Sequence, residues 1–181
     1  MITREDFNDP DYAEGESKTI DGPNANILRS GFAAQDQLSA FNEAVKEENI
    51  PVVMGERMSG IKTILNSVSQ YSMKVRDHGG GFYNHTLFFN GLNPAEKGKL
   101  ITSEVEEAII KQYGSIEKFK ATFKEESLKH FGSGWSWLLY DKNQFRIVTT
   151  MNQDNPIMDV VYEPGQIIFA LDLWEHAYYL K

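Results

Sequence analysis

Residues 165–180, "GQIIFALDLWEHAYYL", combine a strand pattern, the start of a helix and two side chains that can bind a metal ion. Asp172 and His176 are four residues apart, where the apolar run gives way to a helical pattern. A third candidate ligand, His85, lies in the aromatic segment "FYNHTLFFNGL" at 82–92. Two imidazoles and a carboxylate suit iron, manganese or zinc, although a hydrogen-bonded core histidine is the commoner use of such residues.

The segments before this stretch predict a small antiparallel sheet with helices beside it. "GWSWLLY" and "QFRIVTT" flank "DKN", which indicates a β-hairpin. "GQIIFALDL" is nearly all apolar and is therefore expected to be the central strand. Ser103 with Glu106 forms a capping-box pattern for a helix that ends at Gly114, and Ser115 caps the next helix.

The first half of the chain is predicted to be helical. A short amphipathic helix is expected over about 33–48, and a second from Met58 to Val75, ended by the glycines at 79–81. The fold class is therefore α+β: a helical N-terminal hairpin, then a C-terminal domain of helices packed on a three-stranded antiparallel sheet. The expected divisions are an extended or disordered acidic arm at 1–28, the hairpin at 29–93 and the C-terminal domain at 94–181.

Composition excludes several classes of function. The chain has no cysteine, so disulfides and thiolate chemistry are excluded. It has no apolar run of membrane-spanning length, and its acidic start does not resemble a transit peptide. The net charge is −8, and residues 1–22 hold seven acids against two bases. No basic patch is visible, so nucleic acid is not an expected partner, whereas the acidic arm suits a basic protein surface.

Four segments together resemble the iron/manganese superoxide dismutase family in their order and spacing. They are "GGGFYNHTLFFNGLNP" (79–94), "FGSGWSWLLYD" (131–141), "NQDNPIM" (152–158) and "ALDLWEHAYYL" (170–180). The resemblance implies iron or manganese as the cofactor, and three metal ligands: His85, Asp172 and His176. It also implies that Trp135 and Trp174 form an aromatic wall around the metal.

The resemblance further implies a substrate funnel and a subunit interface. Trp174 and Tyr179 correspond to residues that line the funnel, and they are the catalytic candidates if the chain is active. Glu175 and Tyr179 correspond to residues at a dimer interface. The expected partners are therefore a second copy or another dismutase-like chain, within a larger complex in one interpretation.

The sequence departs from the family pattern in three ways. The family takes a fourth ligand, a histidine, from its first helix, but this chain has no histidine before His78. His78 is either a substitute ligand or a surface residue. A glutamine is expected near the metal at one of two positions, which here hold Gly81 and Phe131, so the amide is predicted to be missing. The chain also stops where family members continue, which suggests a C-terminal truncation.

Three functions stay open at this point. The first is a catalytically degenerate, dismutase-like subunit of a larger assembly, expected in the mitochondrial matrix. The second is an active iron- or manganese-dependent superoxide dismutase with a non-standard fourth ligand, expected in the cytoplasm. The third is a metal enzyme of another class that uses two histidines and a carboxylate. The enzyme assignment is thus undecided from the sequence.

Overall fold

A computed structural model of the chain describes residues 25–50, 57–92 and 102–179. Within these ranges lie six α-helices, three strands and a 3-10 turn at Val68–Gln70. The helices and strands are α1 Ala25–Glu47, α2 Arg57–Leu65, α3 Met73–Gly91, α4 Ser103–Tyr113, α5 Ile116–Leu128, β1 Gly134–Asp141, β2 Gln144–Met151, β3 Gln166–Asp172 and α6 Glu175–Tyr178. The predicted α+β class is confirmed. The acidic arm lies outside the described residues except at its end, where α1 already begins at Ala25.

The three strands form one antiparallel sheet in the order β2-β1-β3. The β1–β2 hairpin is confirmed, and Lys142 and Asn143 turn it with φ values of 48° and 62°. The prediction that the third strand is central is wrong, because β1 pairs with both neighbours and β3 lies at an edge. The apolar pattern of β3 does not distinguish a central strand from an edge strand. The central strand is β1, whose residues 134–139 are all buried.

Helix α3 runs through the three glycines that were expected to end it. Ser72 caps its start by accepting a hydrogen bond from the Val75 N–H. A Cβ added to Gly80 would lie 2.2 Å from the backbone oxygen of Gln153, and one added to Gly79 would lie 2.8 Å from the ring of Phe41. The glycines therefore allow two neighbouring segments to approach the helix, and this packing outweighs their low helix propensity.

Helices α1 and α3 pack side by side in opposite directions. Lys74 pairs with Glu47 near one end, and His78 pairs with Gln37 further along. The core between these helices includes Phe41, Val45, Leu65, Val75, Tyr83 and Met158. The antiparallel pair is therefore α1 with α3. The second helix predicted from Met58 to Val75 is instead divided into α2, the 3-10 turn at Val68–Gln70 and the start of α3.

Helices α4 and α5 cover the sheet through a second apolar cluster of Ile109, Phe123, Leu138 and Phe145. Ser115 caps α5 as predicted, accepting from the Lys118 N–H at 3.1 Å. Thr102 rather than Ser103 caps α4, because its hydroxyl accepts from the Val105 N–H. No helix in the described ranges is long and apolar enough to cross a membrane.

Candidate metal centre

Three elements bring His85, Asp172 and His176 to one point. His85 lies in the middle of α3, Asp172 ends β3 and His176 lies in the first turn of α6. Their candidate ligand atoms all lie within 4.8 Å of one another. His176 Nε2 is 2.9 Å from Asp172 Oδ2, and His85 Nε2 is 3.6 Å from the same oxygen and 3.5 Å from His176 Nε2. The two histidines and the aspartate that the sequence singled out are therefore brought together.

Neighbouring backbone groups orient two of these side chains. His85 Nδ1–H donates to the Gly81 carbonyl at 2.6 Å, which leaves the Nε2 lone pair directed at the cluster. Asp172 Oδ1 accepts from the Trp174 N–H at 2.9 Å, which leaves Oδ2 directed at the histidines. Such second bonds fix the orientation of a metal ligand before the metal arrives.

The two imidazoles have opposite electrostatic environments. Burial lowers the pKa of His85, although the hydrogen bond to Gly81 and the charge of Asp172 act against this, and His176 lowers it further. The hydrogen bond to Asp172 raises the pKa of His176, with burial acting in the opposite sense. His85 is thus held neutral, as a ligand must be, and His176 Nε2–H donates to the carboxylate. A cation that binds the same atoms of His176 and Asp172 replaces that proton.

Aromatic rings surround the cluster, as predicted for Trp135 and Trp174. The edge of Trp135 meets His85 at 5.0 Å between ring centroids and 88° between planes. Trp174 stacks on His176 at 6.0 Å, and its Nε1–H donates to the backbone oxygen of Asn152. Trp135 is fully buried and covers His85, whereas His176 is exposed to solvent.

Gln153 supplies the amide that the sequence analysis predicted to be missing. It is buried and lines the same cavity as His85 and His176, and its Oε1 accepts from Trp135 Nε1–H at 3.1 Å. The prediction was wrong because only the Gly81 and Phe131 positions were considered; Phe131 is 95% exposed. The signal that would have found it is "NQDNPIM", whose single glutamine follows the hairpin.

A buried pair of asparagines holds the turn that carries Gln153 against α3. Asn84 Nδ2–H donates to the backbone oxygen of Gln153 at 3.0 Å, and Asn155 Nδ2–H donates to Asn84 Oδ1 at 2.9 Å. Both asparagines are fully buried. Because the Gln153 carbonyl also packs closely against Gly80, this turn is held in one defined position on the helix.

A cavity of about 540 Å³ opens beside the cluster. Gln37 of α1 and Asp77 and His78 of α3 line it, together with Trp174 and the two cluster histidines. His78 belongs to the cavity wall but not to the group of converging ligand atoms, and Gln37 holds its ring. His130 is turned toward the Ser133 carbonyl, away from the cluster.

The residues present fit a divalent metal ion. The donor set is two imidazole nitrogens and one carboxylate oxygen, the combination expected for manganese, iron or zinc. Each donor except His176 has a second hydrogen bond that orients it, and the aspartate offsets part of the cation's charge. Among the described residues, no fourth His, Cys, Asp or Glu joins the group.

Glu175 and Tyr179 lie on the solvent side of the cluster. Both are exposed, and Tyr179 is 70% exposed at the end of α6. Their predicted roles in a dimer interface, and that of Tyr179 in a substrate funnel, stay predictions.

Comparison with known proteins shows which proteins the C-terminal part of the chain is similar to. Residues 101–181 match the family described as iron/manganese superoxide dismutases, C-terminal domain. The chain is 42% identical over 122 residues to the superoxide dismutase [Mn] of Haemophilus ducreyi, a match that covers 66% of this chain and 56% of that protein. It is also 42% identical over 119 residues to the superoxide dismutase [Mn] of Acinetobacter baylyi, a match that covers 63% of this chain and 50% of that protein. The chain thus spans about half the length of these curated relatives.

Proposed function

The chain belongs to the iron/manganese superoxide dismutase family, and we propose that it binds one manganese or iron ion and dismutates superoxide. The observation that supports this most strongly is the convergence of three oriented ligand atoms beside a buried glutamine. His85, Asp172 and His176 would hold the metal. A bound metal of this kind supplies one-electron chemistry, alternately accepting and giving an electron.

The surrounding residues prepare the site for this chemistry. The three donors include one carboxylate, that of Asp172, so a bound divalent cation would keep part of its positive charge and would attract an anionic substrate. Gln153, fixed by Trp135, presents its amide to the cavity next to the ligands and orients solvent there. Trp135 covers His85 from the protein interior, and Trp174 stacks on His176, whose exposed side is open to solvent and substrate.

A second candidate function is a dismutase-like subunit without catalytic activity, which serves a larger assembly. The observation that favours it is the α1 side of the cavity, where Gln37 is the lining residue and no histidine precedes His78 in the chain. In this alternative the cluster of His85, Asp172 and His176 is a hydrogen-bonded core feature that no longer turns over.

Reconstitution separates the two candidates. The purified chain is loaded with Mn²⁺ or Fe²⁺, its metal content is measured by elemental mass spectrometry, and superoxide decay is followed by pulse radiolysis. We expect close to one ion per chain and a decay rate that scales with metal content. His176→Ala should lose both metal and activity, whereas His130→Ala should keep both. Bound metal without faster decay, or decay that survives in His176→Ala, would contradict the proposal.

A further inference from the structure

His78 is the cavity histidine that metal binding does not use. It precedes His85 by seven residues on α3, so the two lie on nearly the same face about 10 Å apart along the axis. The distance excludes direct ligation alongside His85, yet both rings line one cavity.

Gln37 determines which ring nitrogen of His78 carries the proton when the ring is neutral. His78 Nδ1 lies 2.8 Å from Gln37 Oε1. An amide oxygen only accepts hydrogen bonds, so Nδ1 carries the proton and Nε2 holds the free lone pair. The bond crosses from α3 to α1, so the packing of two helices fixes the tautomer. The Nε2 lone pair of His78 is therefore the one left for other hydrogen bonds.

Asp77 places a second proton-carrying group beside His78. It lines the same cavity, and burial raises the pKa of its carboxyl, with the charge of Asp154 adding to this and those of Arg76 and His78 opposing it. Arg76 is committed to Asp154 through two hydrogen bonds of 2.6 and 2.5 Å. Among the described residues, the other titratable groups that line this cavity are His85 and His176 of the metal cluster.

We propose that Asp77 and His78 form a proton relay on the wall of this cavity, with Gln37 as the residue that orients it. The relay rests on the proposed dismutase function. In that reaction two superoxide ions and two protons give one dioxygen and one hydrogen peroxide: one superoxide loses an electron, and the other gains it with both protons. His78 Nε2–H releases a proton to the cavity solvent that reaches the reduced product, and Asp77 or bulk water restores it.

Activity measurements on the manganese-loaded chain test the relay. His78→Gln keeps a polar side chain of similar reach but cannot carry a proton. We expect its metal content to match that of the unmodified chain and its turnover to fall about tenfold or more. In His78→Ala, added imidazole should restore turnover toward the original value. His130→Gln, outside the cavity, is the matched control and should stay active. Unchanged turnover in His78→Gln, or no rescue by imidazole, would overturn the relay.

A second readout requires neither metal nor activity. Nitrogen-15 NMR of the imidazoles should show His78 protonated at Nδ1 when neutral, and Gln37→Ala should shift the ring to a mixture of tautomers. A His78 protonated at Nε2 would overturn the relay while leaving the dismutase proposal in place. A metal-loaded chain that does not consume superoxide would overturn the proposed function, and the relay with it, even where the tautomer is as expected.

Discussion

The two sides of the cavity differ in the metal-binding and hydrogen-bonding side chains that line them. One side carries His85, His176, Gln153 and Trp174. Asp172 contacts both of these histidines, and the ring of Trp135 contacts His85. The opposite wall, from α1, contributes the neutral amide of Gln37. The difference shows that, among the described residues, the three converging ligand atoms come together without a ligand from α1.

The reason lies in how each wall is held. Asp172 is fixed by its pairing with Trp135 across the sheet, and His85 by its bond to Gly81, so neither orientation depends on α1. Hydrogen bonds of Asn84 and Asn155 hold the turn that carries Gln153 against α3. By contrast, among the described side chains of α1, Phe41 contributes apolar packing and Gln37 accepts a hydrogen bond from His78.

The largest effect is expected from Asp172→Asn, which keeps the shape of the side chain but removes its charge. Manganese affinity should fall about 100-fold or more, because the cation loses its only anionic ligand among the described residues and Asn presents a neutral donor. Isothermal titration with Mn²⁺ measures the change, with His130→Ala as the control. Affinity within a few-fold of the unmodified chain would show that the metal binds elsewhere.

Gly80→Ala should disrupt the close packing of α3 against the turn that carries Gln153. The new Cβ would lie 2.2 Å from a backbone oxygen, which no side-chain rotation can relieve. We expect the free energy of unfolding to drop by about 3 kcal/mol. Gly91→Ala on the same helix is the control, because nothing lies within 4 Å of its Cβ position. Denaturant titration compares the two, and equal stability would contradict the close approach.

Gln153→Leu tests whether the amide belongs to the metal-binding wall. It leaves Trp135 Nε1–H without its acceptor, at a cost of about 1–3 kcal/mol in stability. It also removes the group that orients solvent next to the ligands, so manganese affinity should fall about tenfold. Thermal unfolding and metal titration measure the two effects. A loss of stability with no change in affinity would make Gln153 a purely structural residue.

The smallest effect on metal binding is expected from Gln37→Ala on the α1 wall. Manganese affinity should stay within about threefold, since Gln37 contacts none of the ligands by a hydrogen bond within the described residues. Stability should fall by about 1 kcal/mol or less, the usual value of one partly exposed hydrogen bond. The same titrations apply, and a tenfold loss of affinity would show that α1 takes part in metal binding after all.

Most of the ligand cluster was visible in the sequence because its residues lie in strongly patterned segments. Asp172 ends an apolar strand and His176 begins the following helix, so their spacing limits where they can point. The hairpin turn and the cap at Ser115 were also readable, because each depends on residues close together in sequence.

The misjudged features depend on contacts between distant segments. The glycines at 79–81 lie inside α3 because Phe41 and the Gln153 backbone need the space, and neither neighbour is local. The place of β3 at the sheet edge is set by pairing that an apolar pattern does not encode. Gln153 reaches the cluster through Asn84 and Asn155, a network whose members are about 70 residues apart.

The central claim is that His85, Asp172 and His176 hold one metal ion. Anomalous X-ray scattering at the manganese edge, from crystals of the chain loaded with Mn²⁺, tests it most directly. We expect one strong peak per chain, within bonding distance of His85 Nε2, His176 Nε2 and an Asp172 carboxylate oxygen. A manganese peak on other residues, or no peak between these three side chains, would contradict the account.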